Sequence, residues 1–295
     1  MELNSFIGIE ALKQAYLVQR KLLENNSIVE FVYKGRGLDK ATRGDWESEE
    51  EIINFLIKEN FPVRIISEEH GQIDITSSPK YLAVLDGIDG SSGLVTNQNS
   101  RCGTMLSIAY NLNPCYDNFF FGGLTEFSTG KIAYGIKDKG NYLIKDRVIK
   151  KIESKERNFL NPKTKIHIDD KQFYPDFKES ITSGIDEISS FVKKTFSDKL
   201  KGKFDLSGIV SSSSMCLDLV EGKVDAVCGV IAKGVFEPPA EYRLVKEIGG
   251  ELFAFVEGKW NELRNKKWAE YGRPLSPLIR VANLEIGKEL IEYLK

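Results

Sequence analysis

Two aspartates, Asp86 and Asp89, follow a short apolar segment at residues 81–85, and each is followed by a glycine. Glycine lets a backbone turn sharply and lets a ligand approach it closely. Such a turn can direct both carboxylates and the carbonyl of Ile88 to one point, and hard cations such as Mg²⁺ prefer oxygen ligands of this kind. The spacing therefore predicts a cation site, although Asp and Gly are also common in ordinary surface turns.

A second acidic pair, Glu68 and Glu69, lies just beyond another apolar segment, residues 63–66. If the two segments are neighbouring strands, four carboxylates meet at one edge of a sheet. Two like charges about 4 Å apart repel by about 4 kcal/mol at an effective dielectric of roughly 20, so bound cations or protons would have to relieve the repulsion. A solvated acidic loop is the alternative, and it fits Glu69 better than Glu68.

The residues that follow the second aspartate, Gly-Ser-Ser-Gly at 90–93, could bind an anion. If a helix begins here, its free backbone N–H groups form an anion site. Cations on one side and backbone donors on the other would suit a phosphate ester. Capping of a turn by serine is the simpler alternative.

Glu237 precedes two prolines, Pro238 and Pro239. Proline pushes the preceding residue out of the helical region and is tolerated in the first turn of a helix. We therefore expect Glu237 in an extended backbone at a helix entrance. There it is either a further cation ligand or an acid that interacts with the helix dipole.

The composition excludes several classes of chemistry. The 295 residues include two histidines, His70 and His167, and no G-x-S-x-G motif, which excludes a histidine-rich metal centre and disfavours Ser-His-Asp catalysis. The four cysteines form no C-x-x-C pair, so we expect no zinc site. The net charge is −2, so we expect no nucleic-acid partner and no membrane partner. The start of the chain lacks a signal-peptide pattern, so we expect a cytoplasmic protein.

The elements that must position these residues begin with helices and continue as strands. Apolar spacing predicts helices over residues 7–24 and 47–59. Strand-like runs follow at 63–66, 81–85, 104–110, 119–124, 131–136 and 142–144. The run at 81–85 is expected to stop at Asp86.

The second half of the chain alternates between helix and strand. Residues 147–165 are rich in Lys and Glu, which indicates a solvated connector between the halves. Helices are predicted at 184–196, 212–221, 238–248 and 284–294, and a strand at 224–227. Serines favour the start of the second of these helices, and Gly249 fits a helix C-terminus.

Several of these motifs together resemble the inositol monophosphatase and fructose-1,6-bisphosphatase superfamily of lithium-sensitive, Mg²⁺-dependent phosphatases. The matching segments are S-E-E at 67–69, L-D-G-I-D-G-S-S at 85–92, D-K-A-T-R-G-D at 39–45, F-G-G-L to K-I-A-Y-G at 121–135, residues 211–225, and F-E at 236–237, twelve residues before G-G at 249–250. The resemblance therefore extends along almost the whole chain.

This resemblance implies two to three Mg²⁺ ions per site, with Mn²⁺ as a substitute and Li⁺ as an inhibitor. Glu68, Asp86 and the Ile88 carbonyl would hold the first ion. Asp86, Asp89 and Glu237 would hold the second, and a third would lie near Glu68.

The resemblance also assigns the attacking water and the substrate. Asp45, Glu68 and Ser91 would position and deprotonate the water, with no phospho-enzyme. The candidate substrate contacts are Gly90, Ser91, Ser92, Ser211, Ser212 and Arg243. For Arg243, an ordinary charge on a helix surface is the alternative.

The fold that the resemblance implies is α/β (α+β), a layered αβαβα sandwich with two sheets, the sugar-phosphatase fold. We expect an N-terminal half, residues 1–150, with most metal ligands, and a C-terminal half, residues 151–295, that completes the site; homodimers are common in the family. The implied substrate is a small sugar or polyol phosphate: fructose-1,6-bisphosphate, inositol-1-phosphate, or both. Hydrolysis of 3′-phosphoadenosine 5′-phosphate and a non-catalytic metal- or phosphate-binding role remain as alternatives.

Three departures from the family pattern affect these expectations. Gly87 stands where the family usually has proline, which loosens the turn but removes no ligand. Glu237 stands where inositol phosphatases have Asp and fructose bisphosphatases have Glu. Gly229 lies near an acidic position that contacts substrate hydroxyls in inositol phosphatases, which weakens the case for inositol phosphate.

Overall fold

The computed structural model describes residues 3–32, 41–97, 99–153, 159–169, 190–209, 211–231, 236–270 and 276–295. The predictions that concern residue 39 and residues 184–189 lie outside these ranges. The helices are α1 (Leu3–Glu24), α2 (Arg43–Lys58), α3 (Ser91–Thr96), α4 (residues 190–200, with a π-helical centre), α5 (Ser212–Val220), α6 (Glu237–Lys246) and α7 (Leu284–Leu294). None of these described helices combines the length and apolar character that a membrane span requires.

The strands form two large sheets and one short ribbon. They are β1 (Phe31–Val32), β2 (Ala41–Thr42), β3 (Val63–Ser67), β4 (Gly71–Asp74), β5 (Tyr81–Asp89), β6 (Gly103–Ala109), β7 (Phe119–Glu126), β8 (Lys131–Ile136), β9 (Gly140–Lys145), β10 (Val148–Ile152), β11 (Lys165–Ile168), β12 (Asp205–Ser207), β13 (Ala226–Ile231), β14 (Glu251–Val256), β15 (Lys259–Glu262) and β16 (Ser276–Val281). Their order is β10-β9-β8-β7-β6-β5-β3-β4 in the first sheet and β12-β11-β13-β16-β14-β15 in the second. Both sheets are mixed, since β3 and β5 are parallel, as are β11 and its two neighbours.

Helices and sheets alternate in five layers. Helices α1 and α2 cover one face of the first sheet, where Leu12 and Ile52 are buried in a shared apolar cluster. Helices α5 and α6 lie between the sheets, with Leu217 and Leu244 in the central cluster. Helices α7 and α4 belong to a third cluster with the strands of the second sheet. The predicted αβαβα sandwich with two sheets is therefore confirmed.

Two element boundaries near the predicted site differ from expectation. Helix α2 begins at Arg43, four residues early, because Thr42 and Asp45 form a capping box: each side chain accepts a hydrogen bond from the other's backbone N–H. The prediction that the β5 strand stops at Asp86 is wrong, since its pairing with β6 continues to Asp89. Both differences increase the amount of regular structure around the carboxylates.

The segment predicted as a solvated connector is partly strand. Residues 148–152 form β10, which pairs antiparallel with β9 at the edge of the first sheet. The exposed side chains of β10 hid this strand, because an edge strand with both faces in water has no alternating pattern. By contrast, Gly249 ends α6 as predicted: its φ is 84°, and the N–H groups of Gly249 and Gly250 bond to the carbonyls of Lys246 and Val245.

Candidate active site

The first carboxylates of the site come from two neighbouring parallel strands. Ser67 of β3 pairs with Leu85 of β5, and the Glu68 N–H donates to the Leu85 carbonyl at 3.2 Å. Glu68, just after β3, and Asp86, within the last part of β5, therefore lie at the same edge of the sheet. The expectation that these two strand ends are neighbours is confirmed.

A bulge in β5 brings Asp86 and Asp89 together. Asp86 pairs with Met105 and Asp89 with Gly103, so two residues of β5 lie opposite Thr104 alone. In a regular strand, residues three apart point to opposite faces, and one extra residue restores the same side. The bulge thus allows both carboxylates to face one point.

Glu237 completes a cluster of three carboxylates. One oxygen each from Asp86, Asp89 and Glu237 lies within 4.8 Å of the others, close enough to hold one metal ion. Glu237 comes from the first turn of α6, and Phe236 before it is also helical (φ −74°, ψ −47°). The expected extended backbone at Glu237 is therefore wrong; the packing of α6 overrides the preference imposed by Pro238.

The electrostatics of this cluster indicate a shortage of positive charge. Burial and then the charge of Glu68 raise the pKa of Asp86 well above its ordinary value. Burial raises the pKa of Asp89, and burial with the Asp89 charge raises that of Glu237 to about 7. Asp86 Oδ1 is buried and finds no hydrogen-bond partner among the described residues. An all-oxygen donor set with an orphaned oxygen and like charges fits a hard divalent cation.

Asp89 is fixed by the start of helix α5. Its Oδ2 accepts hydrogen bonds from the Ser211 hydroxyl at 2.7 Å and from the Ser213 N–H at 2.5 Å. These bonds partly offset the effect of burial on the pKa of Asp89. Ser211 was predicted as a substrate contact, but its side chain is fully buried and caps α5. Its place in the structure is that of a support for Asp89.

Ser212 joins a buried ion pair that sequence reasoning missed. Arg280 Nε lies 2.8 Å from Glu241 Oε2, and both side chains are almost fully buried. The Ser212 hydroxyl donates to Glu241 Oε1 at 2.5 Å and accepts from Arg280 Nη2 at 2.8 Å, so this predicted substrate contact is also engaged within the protein. The Arg280 charge lowers the pKa of Glu237, against the larger effect of burial. Glu241 lies one helical turn after Glu237, and that spacing was the available signal.

Position 229 is bordered by charged groups from neighbouring strands. A Cβ on Gly229 would lie 3.3 Å from Asp169 Cβ and 3.4 Å from Arg280 Nη1. Asp169 follows β11, the parallel neighbour of β13. An acidic group is therefore present beside position 229, although residue 229 itself has no side chain.

Arg243 does not fit either predicted role. Its side chain is 2 % exposed, so it is not a charge on the helix surface. Its Nε donates to the Phe119 carbonyl at 2.7 Å and its Nη1 to Glu247 at 2.8 Å. A guanidinium that is buried and already bound to a carboxylate and a carbonyl is not available to an anion, so Arg243 is not part of the candidate site.

The remaining predicted residues lie around the bulge. Asp45 is buried in the first turn of α2, where its Oδ2 accepts from the Thr42 N–H at 2.9 Å and the Thr42 hydroxyl at 2.6 Å. Its charge contributes to the raised pKa of Asp86, after burial and the nearer carboxylates. Gly90 has a φ of 90°, which favours glycine, and Ser91 and Ser92 then begin α3.

A buried carboxylate on α2, Glu49, organises the turn that carries Glu68. It accepts hydrogen bonds from the backbone N–H groups of Glu68 at 3.2 Å and Glu69 at 3.1 Å, and lies 3.0 Å from His70 Nδ1. Sequence reasoning missed Glu49 because it stands in an acidic run that reads as a solvated face. Its spacing of three and four residues from the apolar Ile52 and Ile53 was the available signal.

Comparison with known proteins supports the fold. No family model matches the chain. A fructose-1,6-bisphosphatase/inositol-1-monophosphatase of Methanothermobacter thermautotrophicus is 31% identical over 106 residues, which span 34% of this chain and 38% of the relative. The match thus covers well under half the length of that relative.

Solved structures match over nearly the whole chain. The suhB protein of Bartonella henselae superposes with a TM-score of 0.73 at 13% identity, covering 100% of this chain and 99% of its own. A Pyrococcus horikoshii protein described as similar to inositol-1 monophosphatase gives 0.67 at 20% identity, covering 98% and 95%. The Thermotoga maritima IMPase gives 0.63 at 17% identity, covering 97% and 94%. The chain therefore has the fold of the inositol monophosphatase and fructose-1,6-bisphosphatase superfamily, and the predicted resemblance is confirmed at that level.

Proposed function

We propose that the protein is a Mg²⁺-dependent phosphomonoesterase that acts on a small sugar or polyol phosphate. The observation that carries the proposal is the convergence of Asp86, Asp89 and Glu237, with one oxygen of each within 4.8 Å of the others, in a sugar-phosphatase fold. Glu68, on the adjacent strand end, adds a fourth carboxylate whose charge raises the pKa of Asp86. Such a site needs cations, and proteins with this fold act on substrates that carry phosphate.

The carboxylates of the site would bind the metal. Asp86, Asp89 and Glu237 would hold Mg²⁺, with Glu68 and the Ile88 carbonyl beside them. When bound, Mg²⁺ supplies Lewis-acid activation of water and neutralises charge on the phosphoryl group.

The attacking water and the phosphate would be held by neighbouring residues. Asp45, Glu68 and Ser91 would orient the attacking water and accept its proton. The backbone N–H groups of Gly90, Ser91 and Ser92 would hold the phosphate oxygens.

The preferred substrates are fructose-1,6-bisphosphate and inositol-1-phosphate. The name of the Methanothermobacter relative includes both activities, which supports this pair. The acidic group of Asp169 beside Gly229 supports a substrate with hydroxyl groups, because carboxylates accept hydrogen bonds from them. We also propose a homodimer, as is common in the family, which light scattering on the purified protein would check.

The test is phosphate release from a panel of esters, each with Mg²⁺ and with EDTA. The panel contains fructose-1,6-bisphosphate, inositol-1-phosphate, 3′-phosphoadenosine 5′-phosphate and glycerol-2-phosphate. EDTA-sensitive turnover that is lost in Asp89→Asn supports the proposal, and the preferred ester identifies the substrate. Turnover that persists in EDTA overturns the metal role. A folded protein that binds Mg²⁺ but releases no phosphate from any ester favours a binding role.

A further inference from the structure

Helix α1 buries an amide directly behind the carboxylate-bearing bulge. Gln19 has no exposed surface, and it lies on the apolar face of the helix, four residues after Ala15 and three before Leu22. A polar side chain in such a place is costly unless all its hydrogen-bonding groups are used. Its partners therefore indicate what the residue does.

The hydrogen-bond directions around Gln19 are fixed by the two hydroxyls that it contacts. The Thr104 hydroxyl gives its proton to the Gly87 carbonyl at 2.7 Å, and the Ser48 hydroxyl gives its proton to the Gly44 carbonyl at 2.6 Å. Each hydroxyl can then only accept from Gln19 Nε2, at 2.5 Å and 2.9 Å. Both amide protons are thus used.

The carbonyl side of the amide is also used. The Thr125 hydroxyl donates to Gln19 Oε1 at 3.3 Å and accepts from the Thr104 N–H at 3.0 Å. The Gln19 amide also lies 3.2 Å from the Gly87 carbonyl. Only one orientation of the Gln19 amide satisfies all these hydrogen bonds. The network joins α1 to β6, β7, the β5 bulge and the start of α2.

The two carbonyls at the ends of this network lie next to residues of the proposed site. Gly87 lies in the bulge between the ligands Asp86 and Asp89, and Gly44 precedes Asp45. The two segments also touch, because a Cβ on Gly87 would overlap the backbone carbonyl of Asp45. Gln19 therefore links the bulge to the segment that carries Asp45.

We propose that Gln19 and Thr104 are positioning residues that fix the β5 bulge for metal binding; this inference rests on the proposed function. Neither side chain is a predicted ligand, and both are buried behind the site. Removing a residue that supports a metal ligand commonly lowers metal affinity or activity by about 10- to 100-fold. The carboxyl group of Gln19→Glu can donate at most one proton in place of two, because burial favours its neutral form. At least one of the two hydroxyls would therefore have to turn towards it and release its carbonyl.

The test compares Thr104→Val with Thr104→Ser, together with Gln19→Glu. Valine keeps the shape of threonine but loses the hydroxyl, whereas serine keeps the hydroxyl. The control is Asn141→Leu, since Asn141 is another fully buried amide and donates to the Leu244 carbonyl at 2.6 Å, outside the network. Mg²⁺ binding is measured by calorimetry on proteins that are fully folded at the assay temperature, and the melting temperature is recorded separately.

We expect Thr104→Val and Gln19→Glu to bind Mg²⁺ about 10-fold more weakly, and Thr104→Ser to stay within about 2-fold of the wild type. Asn141→Leu should lower the melting temperature without changing Mg²⁺ affinity. If Gln19→Glu fails to fold, the Thr104 pair decides. Wild-type affinity in Thr104→Val overturns the positioning role alone, whereas a wild-type protein that binds no Mg²⁺ overturns the proposed function as well.

Discussion

Replacing Asp89 with asparagine is expected to stabilise the metal-free protein and to remove its response to Mg²⁺. The pKa of Asp89 is raised in the folded state, chiefly by burial. A carboxyl group with a raised folded pKa is ionised at a cost at neutral pH, so the folded protein is less stable than it would be with a neutral side chain. Asparagine keeps the shape of aspartate and removes that cost.

The magnitude follows from the geometry of the three carboxylates. At a separation of about 4.8 Å and an effective dielectric of about 20, each ionised neighbour repels Asp89 by roughly 3 kcal/mol. Protonation of Asp86, whose pKa is also raised, relieves part of this repulsion. The weaker hydrogen bonds that an amide accepts from Ser211 and Ser213 cost about 1–2 kcal/mol. We expect a net stabilisation of about 1–2 kcal/mol, or a melting temperature about 2–6 °C higher.

The assay is calorimetric unfolding at pH 7.5 in EDTA and in excess Mg²⁺. The wild type should melt higher in Mg²⁺, because a ligand that binds only the folded state stabilises it. Asp89→Asn should melt above the wild type in EDTA and show no further rise in Mg²⁺. The control is Asp74→Asn, which removes a surface carboxylate bound to Arg64 and should leave the Mg²⁺ response intact. An Asp89→Asn protein that is destabilised in EDTA and still responds to Mg²⁺ would refute the assigned site.

Three further predictions follow from other features of the structure. In EDTA, the stability of the folded protein should fall as the pH rises from about 4.5 to about 7. The reason is that Glu237, with its pKa raised to about 7, keeps a proton that the unfolded chain releases in this range. Urea unfolding midpoints measured across the range should depend less steeply on pH in Glu237→Gln. Asp218→Asn should cost about 3–5 kcal/mol by urea unfolding at pH 7, since Asp218 is buried in a bidentate pair with Arg101, and an unchanged midpoint would contradict this. Gly87→Ala should cost about 1–3 kcal/mol and weaken Mg²⁺ binding, because its Cβ meets the Asp45 carbonyl; calorimetry of unfolding and of binding would check both effects.

The strands that carry the acidic motifs could be predicted because local pattern and burial agree there. Residues 81–85 are apolar on both faces, as expected for a strand covered by helices on each side, and they form part of β5. Residues 63–66 form β3, in which buried Val63 and Ile65 alternate with half-buried Arg64 and Ile66. Asp86, Asp89 and Glu237 could be predicted because their motifs resemble a family whose order and spacing they share. The resemblance also predicted that Glu237, from the C-terminal half, lies beside Asp86 and Asp89, from the N-terminal half, which no local pattern indicates.

The bulge and the supports of the site could not be predicted in the same way. A bulge depends on how two strands pair, and the residues of β5 alone read as a strand that ends at Asp86. Gln19, Glu49 and Arg280 each find their partners on other elements of the fold, so no local pattern predicts those partners. A polar residue on an otherwise apolar helix face was the local sign, and both Gln19 and Glu49 show it.

Gly87 stands where the resembled family usually has proline, and its carbonyl is also where the buried Gln19 and Thr104 network reaches the β5 bulge. A proline fixes its own backbone and removes a donor, so it stiffens a loop without help from neighbours. Gly87 cannot do this, and a Cβ in its place would overlap the Asp45 carbonyl, so a side chain there would require the backbone to shift. We infer that the stiffness comes from the Gly87 carbonyl, which accepts a hydrogen bond from the Thr104 hydroxyl and lies 3.2 Å from the Gln19 amide. Gly87→Pro should therefore displace the start of α2 and Asp45 with it, and so weaken Mg²⁺ binding at the proposed site.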